Sequence, residues 1–205
     1  MYIMNKGGLI VTKKEMTKVW VEDKFLPVTL VTVLPQEIIR YKDVSKDGYT
    51  AAVIWVGKKT TKKTKKWTDK TDYAEVTEMR VDEDFVKAHE VGKVLDSDLL
   101  TWLTEVVVVG TSKGKGYQGP MKRRHMHGMP GTHGHKFVRA WGSKGNRKPR
   151  RGFKGHPHAG RMWGDRTTLK HIQVLDIVKK DNEQLLVLKG SLPGAYNDTL
   201  RLLVD

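Results

Sequence analysis

The chain of 205 residues contains no cysteine, which rules out disulfides, thiolate zinc sites and cysteine nucleophiles. It has no apolar run near the ~20 residues of a membrane span. Its first twenty residues, MYIMNKGGLIVTKKEMTKVW, carry no apolar core of the kind found in a secretory signal. Helical patterning is scarce, and only Asp82–His89 and Asp96–Thr104 suggest helices, both short. A soluble intracellular protein is therefore expected, as one sizeable domain or one domain with a large appendage. A chain of this length buries roughly 70% of its unfolded surface, so it needs no covalent staple.

Acid is missing from one place in particular. Between Gly110 and His171 stand 16 Lys/Arg and a single acid, Asp165, while the rest of the chain holds 22 basic and 22 acidic side chains. The net charge of +15 thus belongs to this block alone. The block also holds 13 of the 20 glycines and seven of the eight histidines, but only two branched aliphatics, Val138 and Leu169. Ordering a residue costs about 1–2 kcal/mol of backbone entropy, and so few apolar side chains cannot offset that. On its own the block is expected to be extended, and to order against a dense polyanion.

The flanks are different. FLPVTLVTVL at 25–34 is rich in β-branched residues, Lys46-Asp47-Gly48 signals a turn, and YTAAVIWVG alternates after it. Near the C-terminus, Ile172–Val178 and Leu185–Leu188 flank the polar KKDNEQ as a hairpin would. Short strands with turn punctuation predict a mainly β fold with little helix, built as a small barrel rather than a βαβ sheet. Residues 69–105 hold eleven Asp/Glu against four Lys/Arg, a face expected to avoid nucleic acid and to meet protein or solvent. The lysines at 58, 59, 62, 63, 65 and 66 fit either a solvated loop or an accessory phosphate contact.

Two motifs suggest other chemistry. Gly114-Lys115-Gly116-Tyr117-Gln118-Gly119 is a G-x-G-x-x-G placed directly after the strand-like Val106–Val109. A dinucleotide site also needs a helix opening at the glycines and an acid about 20 residues on. Here Pro120 and the glycine- and proline-broken MKRRHMHGMPG follow, and Asp165 is the first acid. The pairs His125/His127, His133/His135 and His156/His158 have metal-ligand spacing but stand in a field of Lys and Arg that repels a cation. The block offers one carboxylate and no orienting acid beside Ser112 or Ser143. No catalytic residue, metal, cofactor or small-molecule substrate is expected.

Nucleic acid accounts for the whole block. Lys and Arg neutralise phosphates and release counterions. Tyr117, Phe137, Trp141, Phe153 and Trp163 offer flat faces to unpaired bases. Phe137 and Phe153 suit a small local core equally well, whereas Trp141, between Arg139-Ala140 and Gly142-Ser143-Lys144, looks less like core. Charge alone does not separate RNA from DNA; deep insertion favours RNA, whose loops and junctions offer pockets.

The residues also resemble a known family, the bacterial-type ribosomal large-subunit protein number three, or L-three. GTSKGKGYQGPMKRR at 110–124 is similar to the family's GTSKGKGFxGxxKR. Thr132-His133-Gly134, Gly152-Phe153-Lys154-Gly155, Ala159-Gly160-Arg161-Met162 and Gly164-Asp165-Arg166-Thr167-Thr168 follow in the family's order, and LLVLKGSLPGAYND resembles its ending. Near the N-terminus Gly8-Leu9-Ile10, Lys13-Lys14, Met16-Thr17 and Pro27-Val28-Thr29 match as well. One residue is missing where Asn-Glu-Arg is usual, since Asp165-Arg166 stands there, and the 142–149 loop has no glutamine to carry a family methylation.

The resemblance implies a translation-protein-type β-barrel from 1–109 and 167–205, with 110–166 inserted as an extended, RNA-penetrating loop. It implies a cytoplasmic structural protein of the large ribosomal subunit. Its partners would be large-subunit ribosomal RNA near the peptidyl-transferase centre and neighbouring ribosomal proteins, with no membrane. Carried over by position, Lys113, Lys115, Lys122, Arg123, His133, Lys154, Arg161 and Arg166 would touch RNA. Charge and aromatic character add Tyr117, Arg124, Lys136, Arg139, Trp141, Lys144 and Arg150. The alternatives are a non-ribosomal RNA- or DNA-binding module and a phosphate- or nucleotide-binding enzyme.

Overall fold

The β-branched run EVVVVGT at 105–111 forms a strand whose interior residues, Val106 to Gly110, are all buried. A computed structural model describes residues 7–59, 72–180 and 183–204. The lysine cluster from residue 60 onward, the first six residues and the tip of KKDNEQ lie outside them.

In chain order the strands are β1 (Gly8–Val21), β2 (Lys24–Val33), β3 (Gln36–Lys42), β4 (Ala51–Lys59), β5 (Asp72–Arg80), β6 (Val94–Leu95), β7 (Glu105–Thr111), β8 (Tyr117–Gln118), β9 (Gly160–Arg161), β10 (Arg166–Lys180), β11 (Glu183–Lys189) and β12 (Thr199–Leu203). Among the described residues helices are few: α1 (Val44–Asp47), α2 (Glu83–Ala88), α3 (Pro120–Arg124) and a 3-10 turn at Ser97–Leu100. The protein is mainly β. No helix among the described residues is long and apolar enough to cross a membrane.

The chain divides into two compact units, Met1–Thr111 with Arg166–Asp205, and Ser112–Asp165. In the first unit six strands pair antiparallel in a closed ring, β1-β12-β7-β10-β11-β2. A second sheet, β5-β4-β3-β6, shares its core. Leu9, Ile10, Val31, Val108, Leu186, Leu200 and Leu202 from the ring meet Ile38, Ile54 and Met79 from the sheet in one buried cluster. Between them, the buried Gln36 completes hydrogen bonding that strand pairing leaves open. Its amide oxygen accepts from the Ile10 N–H at 2.9 Å, and its amide nitrogen donates to the carbonyls of Ile10 and Leu34, both at 3.2 Å.

β1 and β2 form a hairpin whose turn residues, Glu22 and Asp23, both have positive φ, as the twist of a two-residue turn requires. A bulge between Lys13 and Met16 bends β1. There the buried Lys13 ammonium donates to the carbonyls of Leu192 at 2.7 Å and Gly194 at 3.2 Å, tying the SLPG loop to the ring.

Two local expectations need correction. Asp96–Thr104 is not an α-helix: it is one 3-10 turn with i→i+3 bonds, Thr101 to Asp98 and Leu103 to Leu100, before β7 extends the chain. Conversely, a one-turn helix does follow the third glycine of G-x-G-x-x-G, because Pro120 at its first position has the right φ and no N–H to satisfy. The Lys46-Asp47-Gly48 signal becomes α1, which Gly48 ends at φ 78°. The basic block also runs past the second unit, since Arg166–His171 belong to β10.

Candidate nucleic-acid interface

The second unit has almost no apolar interior; across Ser112–Asp165 only Met162 is buried. Its shape rests on hydrogen bonds at its two ends. Ser112 N–H donates to the Asp165 carbonyl at 2.9 Å, and the Ser112 hydroxyl accepts from the N–H groups of Gly164 and Asp165, each at 3.2 Å. Lys115 and Met162 continue the ladder, and β8 pairs with β9 through Tyr117↔Arg161 and Gln118↔Gly160.

The glycine motif serves this ladder. Gly116 has φ 66°, a left-handed conformation that L side chains rarely adopt, and it turns the chain into β8. Gly119 caps α3 with open space around it. A Cβ at Gly160 would lie 3.2 Å from the Arg123 guanidinium, so that glycine makes room for an arginine.

Arg123 on α3 donates to the backbone carbonyls of Arg161 at 2.9 Å and His158 at 2.8 Å, joining chain segments 35 and 38 residues apart. Arg161 pairs with Asp165, the block's one acid, at 2.7 Å. The Lys115 ammonium sits 3.7 Å from the centroid of the Trp163 ring. Lys122 and Arg124 flank Arg123 in the last turn of α3, and His125 ends the helix with φ 54°.

Of the fifteen residues singled out from the sequence, fourteen lie in this unit; Arg166 opens β10 in the first. Arg123 and Trp141 are half-buried. Lys113, Lys115, Tyr117, Lys122, Arg124, His133, Lys136, Arg139, Lys144, Arg150, Lys154, Arg161 and Arg166 are exposed. Tyr117 leaves 79% of its surface open.

The aromatic expectation is reversed at one point. Trp141 is the more core-like ring, with His158 at 4.6 Å and His156 at 5.6 Å packed edge-on and Lys144 at 5.1 Å, while Phe137 and Phe153 are largely exposed. His156-Pro157-His158 returns the chain to Trp141, a closure that local sequence around residue 141 does not signal. This packing desolvates His158 and, with the charges of His156 and Lys144, holds its pKa below the ordinary value. Among the described residues no group of His, Asp or Glu is placed to hold a metal ion.

Two notches add Arg201 and Arg151 to the cations singled out from the sequence. In the first unit, Arg166 and Arg201 line a polar notch of about 320 Å³ with Thr111 and Thr199. Arg201 is legible only as the outward position between buried Leu200 and Leu202. In the second unit, Lys144 and Arg151 line a notch of about 180 Å³ beside Asn146 and Phe153.

Comparison with curated proteins covers nearly the whole chain. Large ribosomal subunit protein uL3 of Carboxydothermus hydrogenoformans is 37% identical over 200 residues, 94% of each chain. The chain belongs to the uL3 family. The uL3 of Deinococcus radiodurans is 36% identical over 92% of this chain and 90% of its own. The uL3 of Shewanella woodyi is 36% identical over 94% and 95%. No family model matches the chain. The uL3 matches span the ring, the second sheet and the basic unit together, so the relationship is not confined to the glycine motif.

Proposed function

We propose that this chain is a structural constituent of the large ribosomal subunit, acting in the cytoplasm by binding ribosomal RNA and neighbouring subunit proteins. The observation that carries the reading is the end-to-end similarity to uL3 proteins of a chain whose net charge is confined to one nearly coreless unit. In this reading the first unit is a translation-protein-type barrel. The second unit is an extension that enters folded RNA toward the peptidyl-transferase centre and holds that fold in place, without itself catalysing a reaction.

Roles follow from exposure. Lys113, Lys122, Arg124, Lys136, Arg139, Arg150 and Lys154 point cations at solvent, where phosphates release counterions on contact. Tyr117 offers an open face for a base. Arg123 and Trp141 hold the unit's own shape and present one edge each. His133 sits at a backbone turn, with φ 57°.

Sedimentation with crosslinking is the test. The tagged chain should co-sediment with large subunits, and photo-crosslinkers placed at Tyr117 and Arg150 should yield adducts to large-subunit RNA. RNA adducts without co-sedimentation would favour the non-ribosomal module, and adducts from the first unit alone would remove the extension from the binding role.

A further inference from the structure

A groove of about 580 Å³ lies against α2 in the first unit, and none of its lining residues belongs to the basic block. Its apolar lining comes from Phe85, Leu95, Leu99 and Trp102. Phe85 and Leu95 belong to the buried core, so the floor is fixed from beneath, whereas Trp102 leaves 64% of its surface in solvent. Single exposed apolar side chains are ordinary. An exposed Trp beside a preformed apolar groove is instead the arrangement that interface hot spots use.

The rim gives the occupant its sign. Asp82, Asp84, Asp96 and Asp98 line the groove against one ammonium, Lys93. Asp98 pairs with Lys179, and Asp84 lies 4.0 Å from Lys87. Asp82 and Asp96 occupy N-cap positions of α2 and the 3-10 turn, yet neither side chain caps the backbone it precedes. Neither has an ion-pair partner among the described residues. His89 adds no charge near neutral pH. Its ring stacks on Phe85 at 4.3 Å, and burial keeps its pKa below the ordinary value. The carboxylates of Asp82 and Asp96 turn away a polyanion, and an uncharged ligand would leave these two unanswered.

We propose that this groove docks a Lys/Arg-rich protein segment carrying one bulky apolar side chain. The anchor fills the floor against Phe85, Leu95 and Leu99, an arginine lies on the face of Trp102, and flanking cations meet Asp82 and Asp96. The volume suits one large side chain with its adjoining backbone. The inference stands apart from the RNA-binding reading, because no residue of the second unit enters it.

The test uses the full chain, free of RNA, titrated against a fluorescein-labelled peptide of Arg and Lys with one central Phe. Anisotropy should report saturable binding that weakens about 10–100-fold in Trp102→Ala. Combined Asp82→Asn and Asp96→Asn should weaken it about 3–10-fold. Trp102→Phe, which keeps an aromatic face, should bind between wild type and Trp102→Ala; unchanged circular dichroism would show that each variant folds. Equal binding by a peptide with Gln in place of every Arg and Lys would overturn the proposal, as would unchanged affinity in Trp102→Ala. So would an RNA oligonucleotide whose binding is weakened by Trp102→Ala, or a dimer in sedimentation that this substitution dissolves, since the occupant would then be RNA or a second copy.

Discussion

In β7 five consecutive residues, Val106 to Gly110, are buried, whereas from Ser112 to Asp165 the only buried residue is Met162. The first unit excludes water from a core that joins ring and sheet. The second is shaped by backbone hydrogen bonds at its ends, by Arg123 reaching across to two carbonyls, and by left-handed residues at its turns. The contrast follows from composition. Burial of apolar surface is worth about 25 cal/mol per Å², and a segment whose one branched aliphatic is Val138 has little to bury. Apart from Arg123 its cations are left outward or half-exposed, and among the described residues Asp165 is the one acid that pairs with any of them.

The sharpest way to break this comparison is to separate the units. Thr111 and Arg166 are register partners in the β7–β10 ladder, so a two-residue turn can replace 112–165. The shortened chain should keep its β-sheet circular dichroism and cooperative unfolding. If the second unit makes roughly 6–10 phosphate contacts, RNA affinity of the full chain falls about 10³–10⁵-fold between 50 and 200 mM salt, and the shortened chain loses that steep slope. A slope that survives in filter binding would assign the phosphate contacts to the first unit.

Core substitutions probe the other side. Leu202→Ala removes a fully buried side chain from β12 and should destabilise the protein by about 2–5 kcal/mol in urea or thermal unfolding. Tyr117→Ala should do the reverse, leaving unfolding unchanged while weakening RNA binding by about 1–3 kcal/mol if the ring stacks on a base. A stability loss at Tyr117, or an RNA-binding loss at Leu202 without one, would blur the division of labour.

Legibility in the sequence follows the same line. VVVV and LPVTLVTV announce their strands because β-branched residues suit a buried, pleated surface, whereas the charge block covers the second unit and runs on into β10. The outer part of β1, EMTKVW, carries no such pattern, since it is exposed and held by pairing with β2. Gln36 looks like a surface residue, and only its partner Ile10, 26 positions away, makes it a buried one. Arg123 reads as one cation among sixteen, and its structural use depends on carbonyls 35 and 38 residues downstream. Trp141 owes its packing to His156 and His158, which return to it from farther along the chain. Residues whose role is set by local chemistry can be read in advance, whereas those set by chain return cannot.

The smallest expected effects concern two histidines, one in each unit. His89, stacked on Phe85, is held below its ordinary pKa of about 6.5 mainly by desolvation, with Lys93 adding to the effect. Its folded form therefore binds fewer protons than the unfolded chain between that lowered value and 6.5. The stability it contributes is present above pH 6.5 and is lost as pH falls through this window, so unfolding midpoints should drop on acidification, and drop less in His89→Gln. His158 is also low, through desolvation against Trp141 and the charges of His156 and Lys144. RNA phosphates near His158 would oppose those positive charges and raise its pKa, so binding would take up a proton. Affinity should then strengthen as pH falls between the free and bound values. NMR titration of the His158 ring, with and without RNA, reads this directly: an upward shift on binding places phosphate beside the Trp141 cluster, and an unmoved titration places it elsewhere in the unit.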